Sequence, residues 1–411
     1  MSLYEELLLT VSSALDEYIT LPGLGGELIV FEGQFSLRKG KMKSNVYGKV
    51  FYSFCEKVEL LFEGKALDPF PLSWFEESVD LVTENTLSGS ALVLGSQGDR
   101  INGLISRLET ERYASCDRFR WCYLNGPWVF GDDVRRGSRG ISKDRSVFQD
   151  DKFRIVFENR AGYRKQKRHR ELSHICELTS IEGDPITIDE AIDEILLFSR
   201  FVSFFAGCQH APFFIEGLDG GTVQYAFHSV GHDRSLVGVS SWKPDFKDRD
   251  LIGLWPKFRA KRHESLDQYD VLNTVIHWYL AANMNDGMLE GAYVLGFAGI
   301  QLLSAEIAGT GLKNKEIIDD FFSRLKLDVH MDAEDISRMR NWLAHYEGKN
   351  RIAYQGLSFE EKYARLEVVL QVLELAILYW LGYEGHFSNR RESKWQGGDV
   401  ELVPWLPAVN E

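Results

Sequence analysis

Hydrophobic and polar residues follow two different periods along this chain of 411 residues. After Gly23, Gly-rich turns separate short runs rich in β-branched and aromatic residues, which is the pattern of β-strands. Apolar and polar residues alternate most visibly in Lys57–Phe62. The predicted strands are Glu27–Phe35, Asn45–Phe54, Lys57–Glu63, Ala91–Gly95, Arg118–Leu124, Phe153–Asn159, Thr222–His228 and Leu236–Val239.

Other parts of the first 256 residues carry different patterns. Residues 3–18 and Asp189–Ala206 have apolar residues at helical spacing and predict two helices. Residues 131–151 are charged and rich in Gly and Ser, which predicts an exposed loop. Trp242–Pro256 contains two prolines among alternating charges and predicts a connector.

Beyond the connector, the apolar residues recur with the period of a helix. Capping boxes at Ser265/Gln268 and Ser358/Glu361 mark two helix starts, and Asp332 is the expected cap of another helix. The predicted helices run from Ser265 to Met284, Leu289 to Ile307, Asn314 to Leu325, Asp332 through residue 346, and Ser358 to Tyr383. Five helices with short joins predict a helical bundle. The expected fold is therefore α+β, with a mixed or mainly β N-terminal domain (1–255) and an all-α C-terminal bundle (262–411).

The composition narrows the classes of function. Net charge is −14 and the pI is about 5.3, whereas a protein that coats nucleic acid is basic. Any RNA-handling activity must therefore use a local basic site on an acidic body. The five cysteines are scattered and form no C-x-x-C pair, so neither a disulfide framework nor a metal site is expected. No apolar run approaches the ~20 residues of a membrane span, and the expected location is the cytoplasm without membrane contact.

The segment Arg340-Asn341-Trp342-Leu343-Ala344-His345 concentrates the chemistry. The pKa of an ordinary histidine lies near neutrality, so His345 can accept and donate protons. Arg340 supplies a fixed positive charge for phosphate oxygens, where negative charge builds in a transition state. This combination is suited to cutting RNA without a metal or other cofactor.

Helix geometry constrains how these residues can meet. On a continuous helix from Asp335 to Tyr346, Asn341 and His345 are an i, i+4 pair that can touch. Arg340 lies about 140° around that helix from His345. Three explanations stay open: the helix bends or ends near the motif, Arg340 reaches around it, or two protomers share the site.

The R-N-x-x-x-H spacing late in a helical segment, followed by a long apolar helix, resembles the signature of HEPN-domain ribonucleases. The resemblance covers about residues 262–385. The order of a β-containing region, a helix, a connector and a helical bundle is similar to that of the ApeA-type anti-phage HEPN proteins of bacteria. The resemblance implies a metal-independent endoribonuclease that cuts host RNA, with tRNA as the expected substrate, during abortive infection. It also implies a homodimer or higher homo-oligomer formed through the HEPN domain.

Several further residues are candidates for RNA contact. Arg338 and Lys349 flank the motif, and the dense basic run 160–170 contains the others, namely Arg164, Lys165, Lys167 and Arg168. Glu290 and Glu306 could orient Arg340, although a carboxylate near a helix end is the ordinary interpretation. Two other functions stay open: a non-catalytic HEPN module that binds nucleic acid or nucleotide, and the toxin of a toxin–antitoxin pair. In the defence role the N-terminal domain would regulate the nuclease and sense a phage-encoded trigger.

Overall fold

The computed structural model describes most of the chain as two compact units. The described residues are 27–54, 58–84, 87–110, 115–127, 132–135, 141–159, 172–229, 241–244, 248–265, 270–284, 288–309, 311–327, 333–345, 347–391 and 400–406. The N-terminal unit comprises Met1–Ser199 and His210–Ser235, and the C-terminal unit comprises Arg200–Gln209 and Leu236–Glu411. The domain limits 1–255 and 262–411 stay a prediction.

The N-terminal unit begins with a closed barrel of six antiparallel strands. These strands are β1 (Glu27–Lys39), β2 (Met42–Phe54), β3 (Val58–Ala66), β4 (Ser78–Thr83), β5 (Ser88–Gln97) and β6 (Arg100–Glu109). They follow the order β3-β2-β1-β4-β5-β6, and pairing of β3 with β6 closes the ring. Val58, Leu60 and Phe62 are buried on alternate positions of β3, as a half-buried strand requires. Closure leaves none of these six strands with a fully open edge, which removes a site of aggregation.

The sheet continues beyond the barrel through β6. The full order is β3-β2-β1-β4-β5-β6-β15-β14-β8-β12-β11-β10-β9. The additional strands are β8 (Arg118–Leu124), β9 (Asp132–Arg135), β10 (Ile141–Gln149), β11 (Phe153–Asn159), β12 (Leu172–Ser180), β14 (Phe214–Asp219) and β15 (Thr222–Ser229), with a small pair formed by β7 (Ser115–Cys116) and β13 (Ile186–Thr187). Helix α1 (Ile188–Ala206) places Phe198 against Trp121, Phe148 and Phe157 of this part.

Strands β9 and β10 lie in residues 131–151, where the sequence predicted an exposed loop, so that prediction is wrong for these two described segments, and residues 136–140 lie outside the described residues. A charged residue there is compatible with a strand when its charge is matched on the neighbouring strand. Arg145 is buried, lies opposite Glu158 in the register of β10 and β11, and forms an ion pair with it. Charge alone is therefore a poor indicator of a loop when the neighbouring strand supplies a counter-ion.

The C-terminal unit is built mainly from helices. They are α2 (Asp248–Ser265), α3 (Val271–Met284), α4 (Leu289–Ala308), α5 (Asn314–Arg324), α6 (Ala333–Ala344), α7 (Gly348–Gln355) and α8 (Phe359–Trp380). Helix α2 occupies much of the segment that the sequence predicted as a connector, and it contains Pro256. Burial of Leu254, Trp255 and Phe258 offsets the ~3 kcal/mol that a proline inside a helix costs.

The expected fold class is wrong in two respects. The C-terminal part is not all-α, because β16 (His386–Ser388) and β17 (Val400–Leu402) pair as an antiparallel hairpin after α8. The N-terminal part was predicted only as mixed or mainly β, whereas six of its strands close into a barrel. Only the coarse description, a β-rich N-terminal part and a largely helical C-terminal part, agrees with the structure.

Helix α4 is the one helix in the described part of the chain that is long and apolar enough to cross a membrane. It has 20 residues and a mean hydropathy of 1.4 in its most apolar window, 44% of which is buried inside the protein. The sequence predicted this helix within the bundle but predicted no apolar run of membrane-spanning length. Its buried residues include Tyr293, Phe297 and Leu303, which pack inside the C-terminal unit as the residues of a core helix do.

A buried ionic network fixes the C-terminal hairpin to α8. Arg390, two residues after the end of β16, contacts Glu374 through Nη1 at 3.2 Å and Glu367 through Nε at 3.1 Å. Its Nη2 donates to Asn283 Oδ1 at 2.7 Å, and Tyr279 Oη donates to Glu374 at 2.8 Å. The Arg390 and Glu374 side chains are 2% and 3% exposed, so each depends on the other for its charge. Breaking such a pair leaves an uncompensated buried charge.

We expect Arg390→Leu to lower the free energy of unfolding by about 3–5 kcal/mol, because Glu374 and Glu367 would lose their cation. Urea denaturation followed by tryptophan fluorescence measures this loss. Adding Glu374→Gln to the same variant should recover part of it. The control Arg391→Leu removes an exposed arginine from the same turn and should cost less than about 1 kcal/mol. Equal effects of the two leucine variants would contradict the network.

Candidate active site

The motif residues lie at the C-terminal end of α6, which is anchored by its buried face. Ile336 and Met339 are fully buried, and the helix begins with Glu334 and Asp335 in its first turn, where the helix dipole favours carboxylates. Tyr293 of α4 donates its hydroxyl to the backbone carbonyl of Ile336 at 2.7 Å. Burial raises the pKa of Tyr293, so this hydroxyl keeps its proton and stays a donor.

His345 lies just beyond the helix rather than inside it. The sequence predicted continuous helix through residue 346, but α6 ends at Ala344 and His345 occupies a turn. Its backbone N–H still donates to Asn341 O at 3.0 Å, while its own carbonyl accepts from Glu347 N at 2.7 Å and Asn350 Nδ2 at 3.0 Å. The backbone of His345 is therefore held from both sides, and its side chain is exposed.

Asn341 is the centre of a chain of side-chain hydrogen bonds. Asn314, the first residue of α5, donates from Nδ2 to Asn341 Oδ1 at 3.1 Å, and Gln301 of α4 donates from Nε2 to Asn314 Oδ1 at 2.8 Å. Arg340 Nη1 also donates to Asn341 Oδ1, at 3.4 Å. We call Gln301, Asn314 and Asn341 the amide relay. The amide relay connects α6 to α5 and α4. No local sequence pattern links these three side chains.

The amide relay determines which end of the Asn341 carboxamide is available. Its oxygen accepts two hydrogen bonds, and within the described residues its Nδ2 group donates to no partner. The two N–H bonds of this exposed amide can therefore donate to a ligand oxygen. The contact with Asn341 also keeps the Arg340 guanidinium beside Asn341. Asn341 is the i, i+4 partner of His345, so Arg340 is held towards the side of the helix that carries His345.

The remaining candidates have different surroundings. Arg338 is exposed and pairs with Glu334 at 3.3 Å and Asp335 at 3.7 Å, so much of its positive charge is neutralised on its own helix. Lys349 is exposed on α7 and forms no ion pair with a described residue. The candidates Arg164, Lys165, Lys167 and Arg168 lie outside the described residues, as does Tyr346.

Glu290 has a partner other than the arginine that the sequence suggested. Its carboxylate accepts a hydrogen bond from Tyr354 Oη, and this bond holds the pKa of Glu290 below its usual value. Lys362 lies 4.1 Å from the centre of the Tyr354 ring. Glu306 is exposed, and no contact with Arg340 is observed for it. Glu290, Tyr354 and Lys362 consequently connect α4, α7 and α8, and neither glutamate is observed in contact with Arg340.

Among the described residues, no group of three or more His, Cys, Asp and Glu side chains could hold a metal ion. The buried His228 packs its ring 4.9 Å from Phe214 and 6.0 Å from Tyr52. Burial lowers the pKa of His228 to about 4, so it is neutral at physiological pH. This histidine belongs to the core of the N-terminal unit.

Two protein-family models match parts of this chain, and one of the matched parts contains the motif. The family model described as the YopA central domain matches residues 112–229, and that of the YopA C-terminal domain matches residues 313–401. The chain is also 22% identical over 425 residues to the SPbeta prophage-derived uncharacterized protein YopA of Bacillus subtilis (strain 168), covering 93% of this chain and 95% of that protein. No solved structure matches the chain. Helices α5 to α8, with the whole of the motif, fall inside the C-terminal match.

No signal in the sequence connects Asn314 and Gln301 to the motif. They are 27 and 40 residues from Asn341, and Asn314 was seen only as the start of a helix. A polar residue on the first turn of a helix is ordinary, since its side chain often caps the backbone. Nothing in the sequence shows that it reaches a different helix instead.

The relay predicts an energetic coupling between Asn314 and Asn341. In a double-mutant cycle of Asn314→Ala and Asn341→Ala, we expect a coupling of about 1 kcal/mol in the free energy of unfolding, the usual contribution of one hydrogen bond. Urea denaturation of the four proteins measures it. A second cycle that pairs Asn314→Ala with Asn350→Ala is the control and should be additive. Additivity within about 0.3 kcal/mol in the first cycle would contradict the relay.

Proposed function

We propose that this protein is a metal-independent endoribonuclease whose acting groups are Arg340, Asn341 and His345. The observation that carries the proposal is their arrangement at the end of α6. An exposed imidazole follows the helix, an exposed amide with available donors lies one turn before it, and a guanidinium contacts that amide. A base or acid, a neutral donor and a fixed cation are the groups that RNA cleavage through the 2′-hydroxyl requires.

The proposed mechanism assigns one step to each group. His345 removes the proton from a ribose 2′-hydroxyl, whose oxygen attacks the adjacent phosphorus, or it donates a proton to the departing 5′-oxygen. Arg340 neutralises the charge that builds on the non-bridging oxygens, and the N–H bonds of Asn341 donate to one of them. The products are a 2′,3′-cyclic phosphate and a 5′-hydroxyl. DNA is not a substrate, because it lacks the 2′-hydroxyl.

The two proton transfers can be shared between two chains. Within the described residues, one chain offers a single imidazole at this site, so separate base and acid histidines would require a second copy. A homodimer or higher homo-oligomer of the C-terminal unit is therefore part of the proposal. The R-N-x-x-x-H spacing, which resembles that of HEPN ribonucleases, supports this assignment.

The biological role that we propose is defence of a bacterial cell against phage. The protein would cleave host RNA in the cytoplasm, and tRNA is the first substrate to test. The similar Bacillus subtilis protein is described as prophage-derived, which supports a part in conflicts that involve phages. An unrestrained ribonuclease would harm its own cell, so the N-terminal unit would restrain the activity until a phage-encoded trigger is present.

The cleavage assay compares purified wild type, His345→Ala and Arg340→Ala on total tRNA, with EDTA throughout and with or without lysate of infected cells. We expect discrete fragments from the wild type and a loss of about 10²–10⁴-fold in rate for each variant, the usual contribution of a catalytic acid or base. Gel electrophoresis of labelled RNA measures the rates.

Matched controls separate chemistry from folding. Arg338→Ala removes an arginine from the same helix, and His277→Ala removes an exposed histidine from α3. Both should retain most of the activity. Undiminished cleavage by a folded His345→Ala would exclude the assignment, and absence of cleavage by the wild type even with infected-cell lysate would favour a binding module.

A further inference from the structure

The outer surface of the barrel carries a row of aligned side chains across four strands. Residues Gln34 of β1, Tyr47 of β2, Lys65 of β3 and Arg100 of β6 are successive register partners. They point outward, because the neighbouring positions in sequence, such as Val46, are buried in the barrel. The row therefore places one aromatic ring and two cations side by side on an open sheet surface.

Tyr47 is the exceptional member of this row. Its side chain is 57% exposed, and among the described residues it stacks on no other ring. An exposed tyrosine at the centre of a sheet face leaves a flat apolar surface in water. Lys65 and Gln34, its cross-strand neighbours, are polar and do not cover it. Such a ring is a platform on which a planar ligand can stack.

The hairpin between β1 and β2 extends the positive charge along the same strands. Arg38 and Lys43 lie directly opposite each other in the register, and like charges in that position destabilise a sheet. Lys41 lies in the turn between them. Within the described part of the chain, none of these three exposed cations forms an ion pair, although Asp80 is the register partner of Arg38 on β4. A bound anion would relieve their repulsion.

Two acidic residues near this surface neutralise other cations, and a third, Asp68, accepts a hydrogen bond from Asn45 Nδ2 at 2.7 Å. Lys65 pairs with Asp99 at 2.9 Å, and Lys39 pairs with Glu77 at 3.0 Å. Lys65, and to a smaller extent Arg100, hold the pKa of the exposed Asp99 below its usual value. Among the cations of this face, those without an ion pair to a described residue are thus Arg38, Lys41, Lys43 and Arg100. They stand out on a chain whose net charge is −14.

We propose that this face, which comprises Arg38, Lys41, Lys43, Tyr47, Lys65 and Arg100, binds single-stranded nucleic acid. The strand would run along β2 with one base stacked on Tyr47 and its phosphates beside the cations. Lys43 and Tyr47 are four positions apart, which is about 14 Å along a strand, and Tyr47 lies about 10 Å, two strand spacings, from Arg100. A surface of that size contacts a few nucleotides.

Duplexes are the poorer ligands for this face. Their bases are stacked on one another and offer no free ring surface to Tyr47, so only their phosphates could contribute. The proposal does not depend on the ribonuclease proposal, since the face lies in the N-terminal unit and would bind a strand whether or not α6 cuts it.

The test uses fluorescence anisotropy of the full-length protein with a labelled 2′-O-methyl oligouridine, which cannot be cleaved through the 2′-hydroxyl. We expect Tyr47→Ser to weaken binding at least fivefold, the lower range for loss of one stacked base. Tyr363→Ser, which removes an exposed tyrosine of the C-terminal unit, is the matched control and should leave binding unchanged. Circular dichroism confirms that both variants are folded.

The charge variant supplies an independent readout. The double variant Arg38→Gln/Lys43→Gln should reduce the steepness of the plot of log association constant against log salt concentration by about 1.4, or about 0.7 for each lost phosphate contact. Its melting temperature should be unchanged or higher, because a pair of like charges is removed. Binding that is insensitive to Tyr47→Ser, or equal affinity for a duplex of the same length, would overturn the proposal.

Discussion

The close approach of helix α4 to helix α8 is the constraint on which the C-terminal unit depends. Gly296 and Gly299 face α8, where an added Cβ would lie 2.9 Å from side-chain atoms of Val369 and Leu373. A larger residue at either position would require Val369 or Leu373 to shift if the two helices kept this distance. Helix α8 is buried along most of its length, so it needs covering on every side. Glu374 within it must also be neutralised, which explains the buried Arg390 and the hairpin next to it.

The same helix pair supports the candidate active site. Helix α4 carries Tyr293, which holds the backbone of α6, and Gln301, which begins the amide relay to Asn341. The candidate catalytic residues thus lie at the end of the short helix α6, and the longer helix α4 fixes the position of α6. This arrangement combines a rigid structural support with exposed candidate catalytic side chains, as a catalytic site requires.

Much of the helical pattern could be predicted from sequence. The runs at Leu289–Ile307 and Asn314–Leu325 correspond within a residue to α4 and α5, because both have strong apolar periodicity and short joins. The capping box of Ser358 and Glu361 is formed as expected, with Glu361 N donating to Ser358 Oγ at 3.1 Å. Local signals of this kind depend on a few neighbouring residues, and therefore can be recognised in a single sequence.

Features that depend on distant residues could not be predicted. Closure of the barrel pairs β3 with β6, about 40 residues apart, and the three-residue strands β16 and β17 are too short to show a period. For the candidate site, the sequence identified Arg340, Asn341 and His345. It could not show that α6 ends before His345 or that Asn314 holds the amide of Asn341. Those facts arise from packing between helices, which periodicity does not report.

The chemical identity of the RNA ends tests the central claim most directly. Mass spectrometry of the fragments released by the wild-type protein in EDTA distinguishes the routes of cleavage. Attack by the 2′-hydroxyl, with His345 and Arg340 as the acting groups, predicts a 2′,3′-cyclic phosphate on one fragment and a 5′-hydroxyl on the other. Fragments that carry a 5′-phosphate and a 3′-hydroxyl would contradict the account, because water rather than the ribose would then be the nucleophile.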